Sequence, residues 1–172
     1  MAVYGHTMVA YKGFAYVYGG IKMDSPTSDI FQINLRTSEA SQLTPAPYRR
    51  RDHAAVFLTR FMIVQGGIDG ANEVKNTFFY YDTETAKWNV PQQYQMPFLS
   101  HHSLTAVPQK NRRKQYTLHE VLSDNLYIFG GRTDRDSTSN KLFKVRVRES
   151  NDITTEELIC KGVPYPRYSA CV

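Results

Sequence analysis

The chain has 172 residues with a formal net charge of +5, enough length for one ordinary domain with a sizeable core. No apolar stretch reaches the roughly 18 residues of a helical membrane span, and the opening MAVYGHTMVAYKG lacks the charged start and long apolar centre of a secretory signal. The modest positive charge permits acidic partners without demanding nucleic acid. A cytoplasmic, non-secreted location is therefore expected, with Cys160 and Cys171 kept as free thiols unless their geometry allows pairing.

In chain order, short apolar and aromatic runs alternate with turns rich in Gly, Asp and Asn, the pattern of antiparallel strands. Strands are expected over residues 7–11, 15–18, 30–34 and 40–44, then 53–58, 61–65, 77–81 and 87–90, then 102–107, 125–129, 141–146 and 154–159. The half-buried signal is clear over residues 142–147, where Leu142, Lys144 and Arg146 alternate with Phe143, Val145 and Val147. The double glycines Gly19-Gly20, Gly66-Gly67 and Gly130-Gly131 each close a β-type run, and each is led by a histidine, His6, His53 or His102. His6 precedes Gly19 by 13 positions and His53 precedes Gly66 by 13, whereas His102 precedes Gly130 by 28. The third unit thus carries an insertion of about 15 residues, rich in Lys110, Arg112, Arg113 and Lys114. A strand-built period of roughly 40–50 residues points to a β-propeller array.

This combination resembles the kelch repeat, whose pattern is a His-led strand, an apolar strand ending in Gly-Gly, a Tyr-Asp step and a Trp six residues beyond that Asp. The second unit matches through His53, Gly66, Gly67, Tyr81, Asp82 and Trp88. The first keeps His6, Gly19 and Gly20 but reads Ile33-Asn34 at the Tyr-Asp step and Ala40 at the Trp position. The third keeps His102, Gly130 and Gly131, reads Val145-Arg146, and has no Trp. The resemblance implies an all-β, partial kelch-type propeller: three four-stranded antiparallel blades over 1–44, 45–95 and 96–163, the last with its basic insertion at 108–122, and the first strand of a further blade at 164–172. In each blade the strands are expected to run from outer to inner. Closed propellers hold about 4 to 8 blades, so these residues read as a piece of one larger propeller domain. Its open edges would be completed by the rest of the same chain or by another chain. The paired glycines have a physical reason, since crowded blades leave no room for a Cβ where backbones meet.

Candidate sites follow from that frame. Blade-to-blade loops and the loops joining second to third strands share one face, which carries Arg49, Arg50, Arg51, Asp69, Arg132, Asp134 and Arg135. Guanidinium groups there suit bidentate capture of carboxylates or phosphates. Arg49 and Arg50 are expected to be exposed, while Arg51 divides evenly between partner contact and pairing with a neighbouring blade. The basic insertion falls on the opposite face as a solvated loop. The histidines His6, His53 and His102 recur at repeat spacing and so sit apart, as structural groups capping turn backbone. No metal or cofactor is expected, because three or four converging ligands are wanting. The chain carries no Gly-x-Ser-x-Gly elbow, phosphate loop or His-Glu-x-x-His helix. A copper and Tyr-Cys enzyme of related architecture would have only Tyr165 or Tyr168 beside Cys171 to offer.

The expected function is a non-catalytic protein-interaction module or scaffold, binding partner proteins through propeller loops in a cytoskeletal or other large assembly. The alternatives are a substrate adaptor of a ubiquitin ligase, and a propeller enzyme whose site residues lie in other blades. Nucleic-acid or phospholipid binding through the basic loops would show a steep loss of affinity with salt. Fold alone does not choose among these.

Overall fold

The computed structural model describes residues 2–107, 118, 122, 126–133, 137–147, 152–162 and 165–166. Three four-stranded antiparallel sheets follow one another along the chain. The first contains β1 (Thr7–Tyr11), β2 (Phe14–Tyr18), β5 (Ile30–Asn34) and β6 (Ala40–Gln42), interrupted by the small hairpin of β3 (Ile21–Lys22) and β4 (Ser25–Pro26). The second contains β7 (Ala54–Leu58), β8 (Phe61–Gln65), β9 (Phe78–Asp82) and β10 (Lys87–Asn89). The third contains β11 (Ser103–Ala106), β12 (Leu126–Phe129), β13 (Leu142–Val147) and β14 (Ile153–Leu158). This is a partial propeller of three blades. Of the expected further strand at 164–172, only Tyr165 and Pro166 lie among the described residues.

Register follows the hairpin turns. Thr7 pairs with Tyr18 and Ala54 with Gln65, so equivalent residues of the first two sheets occupy equivalent positions. The order of strands corrects the sequence expectation. β1 contacts β7, and β7 contacts β11, so the first strand of each sheet lies at the crowded inner edge. The fourth strand of the first sheet, β6, is exposed along its length. Strands therefore run from inner to outer, because radiating sheets come closest where they share the axis.

Two cores fill the spaces between sheets. Between the first and second, Tyr16, Tyr18 and Ile30 pack against Met62, Val64, Phe79 and Tyr81. Trp88 lies against Tyr18, Phe79 and Tyr81 with ring centroids 5.5, 5.5 and 5.2 Å away, and its indole N–H donates to the Thr44 carbonyl at 3.0 Å. Between the second and third, Ile63, Phe78 and Leu99 meet Leu104, Leu126, Ile128, Val145 and Ile153. β8 is buried throughout, having a neighbour on both faces.

The interval read as a solvated basic insertion also feeds this second core. Leu118 and Leu122, four residues apart and in helical conformation, are both buried there. The burial of these two leucines contributes about 3–6 kcal/mol by area. Lys110, Arg112, Arg113 and Lys114 lie outside the described residues.

Candidate functional site

The paired glycines form the joints that set the loop face. Gly19 and Gly20 have φ of 68° and 89°, Gly66 and Gly67 have 68° and 86°, and Gly130 and Gly131 have 70° and 92°. Two consecutive left-handed residues are costly for anything with a Cβ. Space forbids one as well. A Cβ on Gly19 would lie 2.5 Å from the Arg50 carbonyl oxygen and 2.9 Å from His53 Cε1, and one on Gly67 would lie 2.7 Å from His53 Cβ. The His53 ring is thus wedged between the Gly-Gly of its own sheet and that of the sheet before. His102 repeats the arrangement between Gly66 and Gly131.

Backbone hydrogen bonds repeat with the joints. Gly20 N–H donates to the Arg50 carbonyl and Gly67 N–H to the Leu99 carbonyl, both at 2.8 Å. Asp52 N–H donates to the Gly5 carbonyl and His101 N–H to the Asp52 carbonyl, again at 2.8 Å. Gly5, Asp52 and His101 share a left-handed backbone, with φ of 67°, 54° and 53°. A chain of N–H to C=O bonds therefore runs from sheet to sheet along the loop face.

The histidines differ from the expectation that they cap turn backbone. His53 is 5% exposed, and its Nε2 meets the Thr7 hydroxyl at 2.8 Å across the joint. The residue at the Thr7 position of the next sheet is Ala54, which has no hydroxyl. His102 is 7% exposed, and neither ring nitrogen has a partner among the described residues. Burial pushes both rings down to about 3, with neighbouring positive or histidine groups adding to the shift. They are neutral filling pieces. His6 is exposed, and His119 lies outside the described residues.

The arginine run splits three ways. Arg49 is exposed beside Lys22, Met23 and Asp29, in a cleft under the β3–β4 hairpin. Arg50, expected at the surface, is 4% exposed. Its guanidinium donates to the Arg49 carbonyl at 2.7 Å and to the Thr77 hydroxyl at 3.2 Å, and stacks over the Tyr48 ring at 5.2 Å. Burial lowers its pKa from the ordinary arginine value, opposed by Tyr18 and Asp69. Arg50 fills the place that Leu99 holds in the following joint, and it is unavailable to a partner. Arg51 is half-buried, bonded to Asp52 and to the Asn72 amide oxygen, each at 2.5 Å.

Asp69 also serves its own loop. Its carboxylate accepts from the Ala71 and Glu73 N–H groups at 2.9 and 3.1 Å and pairs with Lys75 at 2.9 Å. Burial raises its pKa, but these contacts outweigh it and leave the group below the carboxylate range. Arg51, Asn72, His101 and Arg132 line a common cleft of about 260 Å3 between the second and third sheets. His101 Nε2 stands 3.5 Å from Asp52. The structure thus gathers Arg51 and Arg132 together, sets Arg49 apart, and withdraws Arg50. Asp134 and Arg135 lie outside the described residues. Sequence reasoning missed His101, whose signal was its equivalence to Gly5 and Asp52 at the left-handed step.

Among the described residues, no group of three or more His, Cys, Asp or Glu side chains converges as a metal site. Cys160 is exposed and has no disulfide among the described residues, and Cys171 lies outside them.

Comparison with known proteins places this geometry. Residues 5–172 match the KLHDC2/KLHL20/DRC7 Kelch-repeats domain. Kelch domain-containing protein 3 of Rattus norvegicus is 24% identical over 169 residues, covering 94% of this chain and 41% of the relative. Multiple epidermal growth factor-like domains protein 8 of the same species is 29% identical over 157 residues, 87% of this chain and 5% of the relative. Tip elongation aberrant protein 1 of Schizosaccharomyces pombe is 33% identical over 82 residues, 42% of this chain and 7% of the relative. The chain spans less than half the length of each.

Proposed function

The chain belongs to the kelch-repeat family, a family of protein-interaction domains in general, and on that premise we propose that it is a non-catalytic module that binds a partner protein through its loop face. The observation that carries this reading is the division of labour at the joints. His53, His102, Arg50 and the paired glycines are spent on holding sheets together, while Arg49 and the hairpin tip at Met23 are left at the surface. Rigid sheets with independently variable loops suit recognition of another protein. A cytoskeletal assembly is the setting we favour, in view of the likeness to a protein named for aberrant tip elongation. We place the protein in the cytoplasm accordingly.

The face of the first sheet turned away from the second supports a further part of the proposal. Val17, Phe31, Ile33 and Ala40 line a groove of about 440 Å3 with Val3. They occupy the repeat positions of Val64, Phe79, Tyr81 and Trp88, which the second sheet buries against the first. We propose that another sheet of the same repeat covers this groove, supplied by the same polypeptide or by a second chain. The mass of the native polypeptide, set beside sedimentation, separates the two sources.

The test of partner binding is a quantitative pull-down from cytoplasmic extract, comparing the unaltered protein with Arg49→Glu. Loss of a reproducible partner in Arg49→Glu, with the thermal transition unchanged, is expected. Equal capture by the variant would remove the Arg49 surface from the proposal.

A further inference from the structure

The two joints between sheets are built differently at their outer ends. In the first, Trp88 on β10 fills the space against the incoming linker and bonds to its Thr44 carbonyl. In the second, the corresponding strand position is held by Thr155, paired with Val145 as Trp88 is paired with Tyr81. The linker closes instead through backbone. Tyr94 forms a parallel bridge with Ile153, Gln95 N–H donates to the Ile153 carbonyl at 2.7 Å, and Ile153 N–H donates to the Gln93 carbonyl at 3.3 Å. Beside this backbone closure, next to but not lined by Thr155, lies an open cleft of about 490 Å3.

The lining of that cleft is distinctive. It consists of Asn76, Gln92, Gln93, Tyr94, Gln95, Asp152, Ile153 and Thr154. Four carboxamides, three of them on the exposed Gln92, Gln93 and Gln95, contribute both donors and acceptors, while the Tyr94 phenol packs on the second core and bonds to the Phe78 backbone, and Asp152 carries the single formal charge among these residues. Such a lining disfavours phosphate and other anions, which want cations. It also disfavours a greasy ligand, which wants apolar walls. A ligand bearing many neutral hydroxyl groups fits, because each hydroxyl both donates and accepts and a carboxamide answers both needs at once. The size lies within the roughly 300–1,000 Å3 of small-molecule sites. The linker backbone carrying Gln93 and Gln95 is pinned to β14, so these amides are presented from a fixed frame rather than from a free loop.

We propose that the cleft between the linker at residues 92–95, Asn76 and the start of β14 is a binding site for a neutral polyhydroxylated ligand of the saccharide class. It is separate from the arginine-bearing loop surface and does not depend on it.

The experiment is saturation-transfer difference NMR on the full chain with four neutral disaccharides, maltose, cellobiose, lactose and N,N′-diacetylchitobiose, and with sialyllactose as an anionic comparison. At least one neutral disaccharide is expected to bind, and sialyllactose to bind no better than lactose. Gln93→Ala with Gln95→Ala is expected to weaken binding by about tenfold or more. Both side chains are exposed, so the thermal transition should not move. Should the double variant nonetheless lose its fold, Asp152→Asn supplies the second reading, and an altered order of preference among the four sugars is expected from it. Absence of transfer from all four neutral sugars, preference for the anionic one, or unchanged binding in a folded double variant would each overturn the proposal. Arg49→Glu should leave saccharide binding intact, which separates this site from the partner surface.

Discussion

Lowering the pH from 7 to 5 should cost this protein a large part of its stability, through His53 and His102. Both rings are buried and held neutral, with pKa pushed down from 6.5 to about 3. In the unfolded chain they regain an ordinary pKa near 6.5 and bind protons that the folded state refuses. Stability is therefore complete well above pH 6.5 and is lost as the pH falls towards the folded-state value. At about 1.4 kcal/mol per pH unit, each ring contributes a loss of about 2 kcal/mol between pH 7 and pH 5. The pair together reach about 4 kcal/mol, against a typical total of about 5–15 kcal/mol. His101, lowered mainly by burial and opposed by Asp52, acts in the same direction. Asp29 and Asp69 do not blur the window, because their pKa values are lowered from the carboxylate range and their loss begins at more acid pH. Urea unfolding at half-unit steps of pH, followed by tyrosine and tryptophan fluorescence, reads the slope. His102→Gln should reduce that slope whatever it does to the stability at pH 7. A free energy of unfolding that changes by less than about 1 kcal/mol between pH 7 and 5 would refute the reading of these rings as neutral filling pieces.

Other outcomes follow from the same joints. Ala54→Ser places a hydroxyl where Thr7 offers one to His53, and should stabilise by about 0.5–1.5 kcal/mol by giving His102 a partner; thermal melting reads the gain, and a lower transition would deny the equivalence. Gly67→Ala drives a Cβ to 2.7 Å from His53 Cβ at a φ of 86°, so a loss of about 2 kcal/mol or more is expected in the same assay. Arg50→Glu should destabilise the fold, whereas Arg49→Glu should not, and circular dichroism melts of the two variants distinguish a buried from an exposed arginine. Trp88→Ala should cost about 2–4 kcal/mol, since the half-buried indole both fills the first joint and satisfies the Thr44 carbonyl.

The fold was legible because its most informative residues report on geometry rather than on packing. Glycine at two successive left-handed positions is nearly obligatory, so Gly19-Gly20, Gly66-Gly67 and Gly130-Gly131 survive where the Tyr-Asp step and Trp do not. Strand bounds came out close, with β1 (Thr7–Tyr11), β5 (Ile30–Asn34) and β8 (Phe61–Gln65) falling where alternation and turns placed them. The sequence misleads where one residue's chemistry is taken without its repeat. Arg50 looks like a surface cation, yet three residues before each histidine the next unit carries Leu99, which is 1% exposed. That correspondence was visible in the sequence and argued for burial. Leu118 and Leu122 were hidden by the charged run before them, although a four-residue spacing of leucines is an amphipathic signal in its own right. The inner-to-outer order of strands was not legible, since alternation shows which face a side chain takes and not which edge of the sheet meets the axis.

The burial of Arg50 bears on how such a face can vary without losing its support. A long polar side chain here does structural work that a leucine does at Leu99: its carbonyl accepts from Gly20 as the Leu99 carbonyl accepts from Gly67, and its guanidinium reaches Thr77 as Gln65 reaches the Pro97 carbonyl at 2.8 Å. What repeats is the main-chain contact, and the side chains beneath it are interchangeable provided that each buried donor finds an acceptor. The tips of the loops are bound by neither condition. Arg49 and Met23 can change while the carbonyl of the next residue, and the turn behind it, keep the two sheets in register. On the partner-binding reading proposed above, such a surface separates the residues that would choose a partner from those that hold the frame. The sign of charge at the Arg49 position should thus alter binding while the joint at the next residue is left undisturbed.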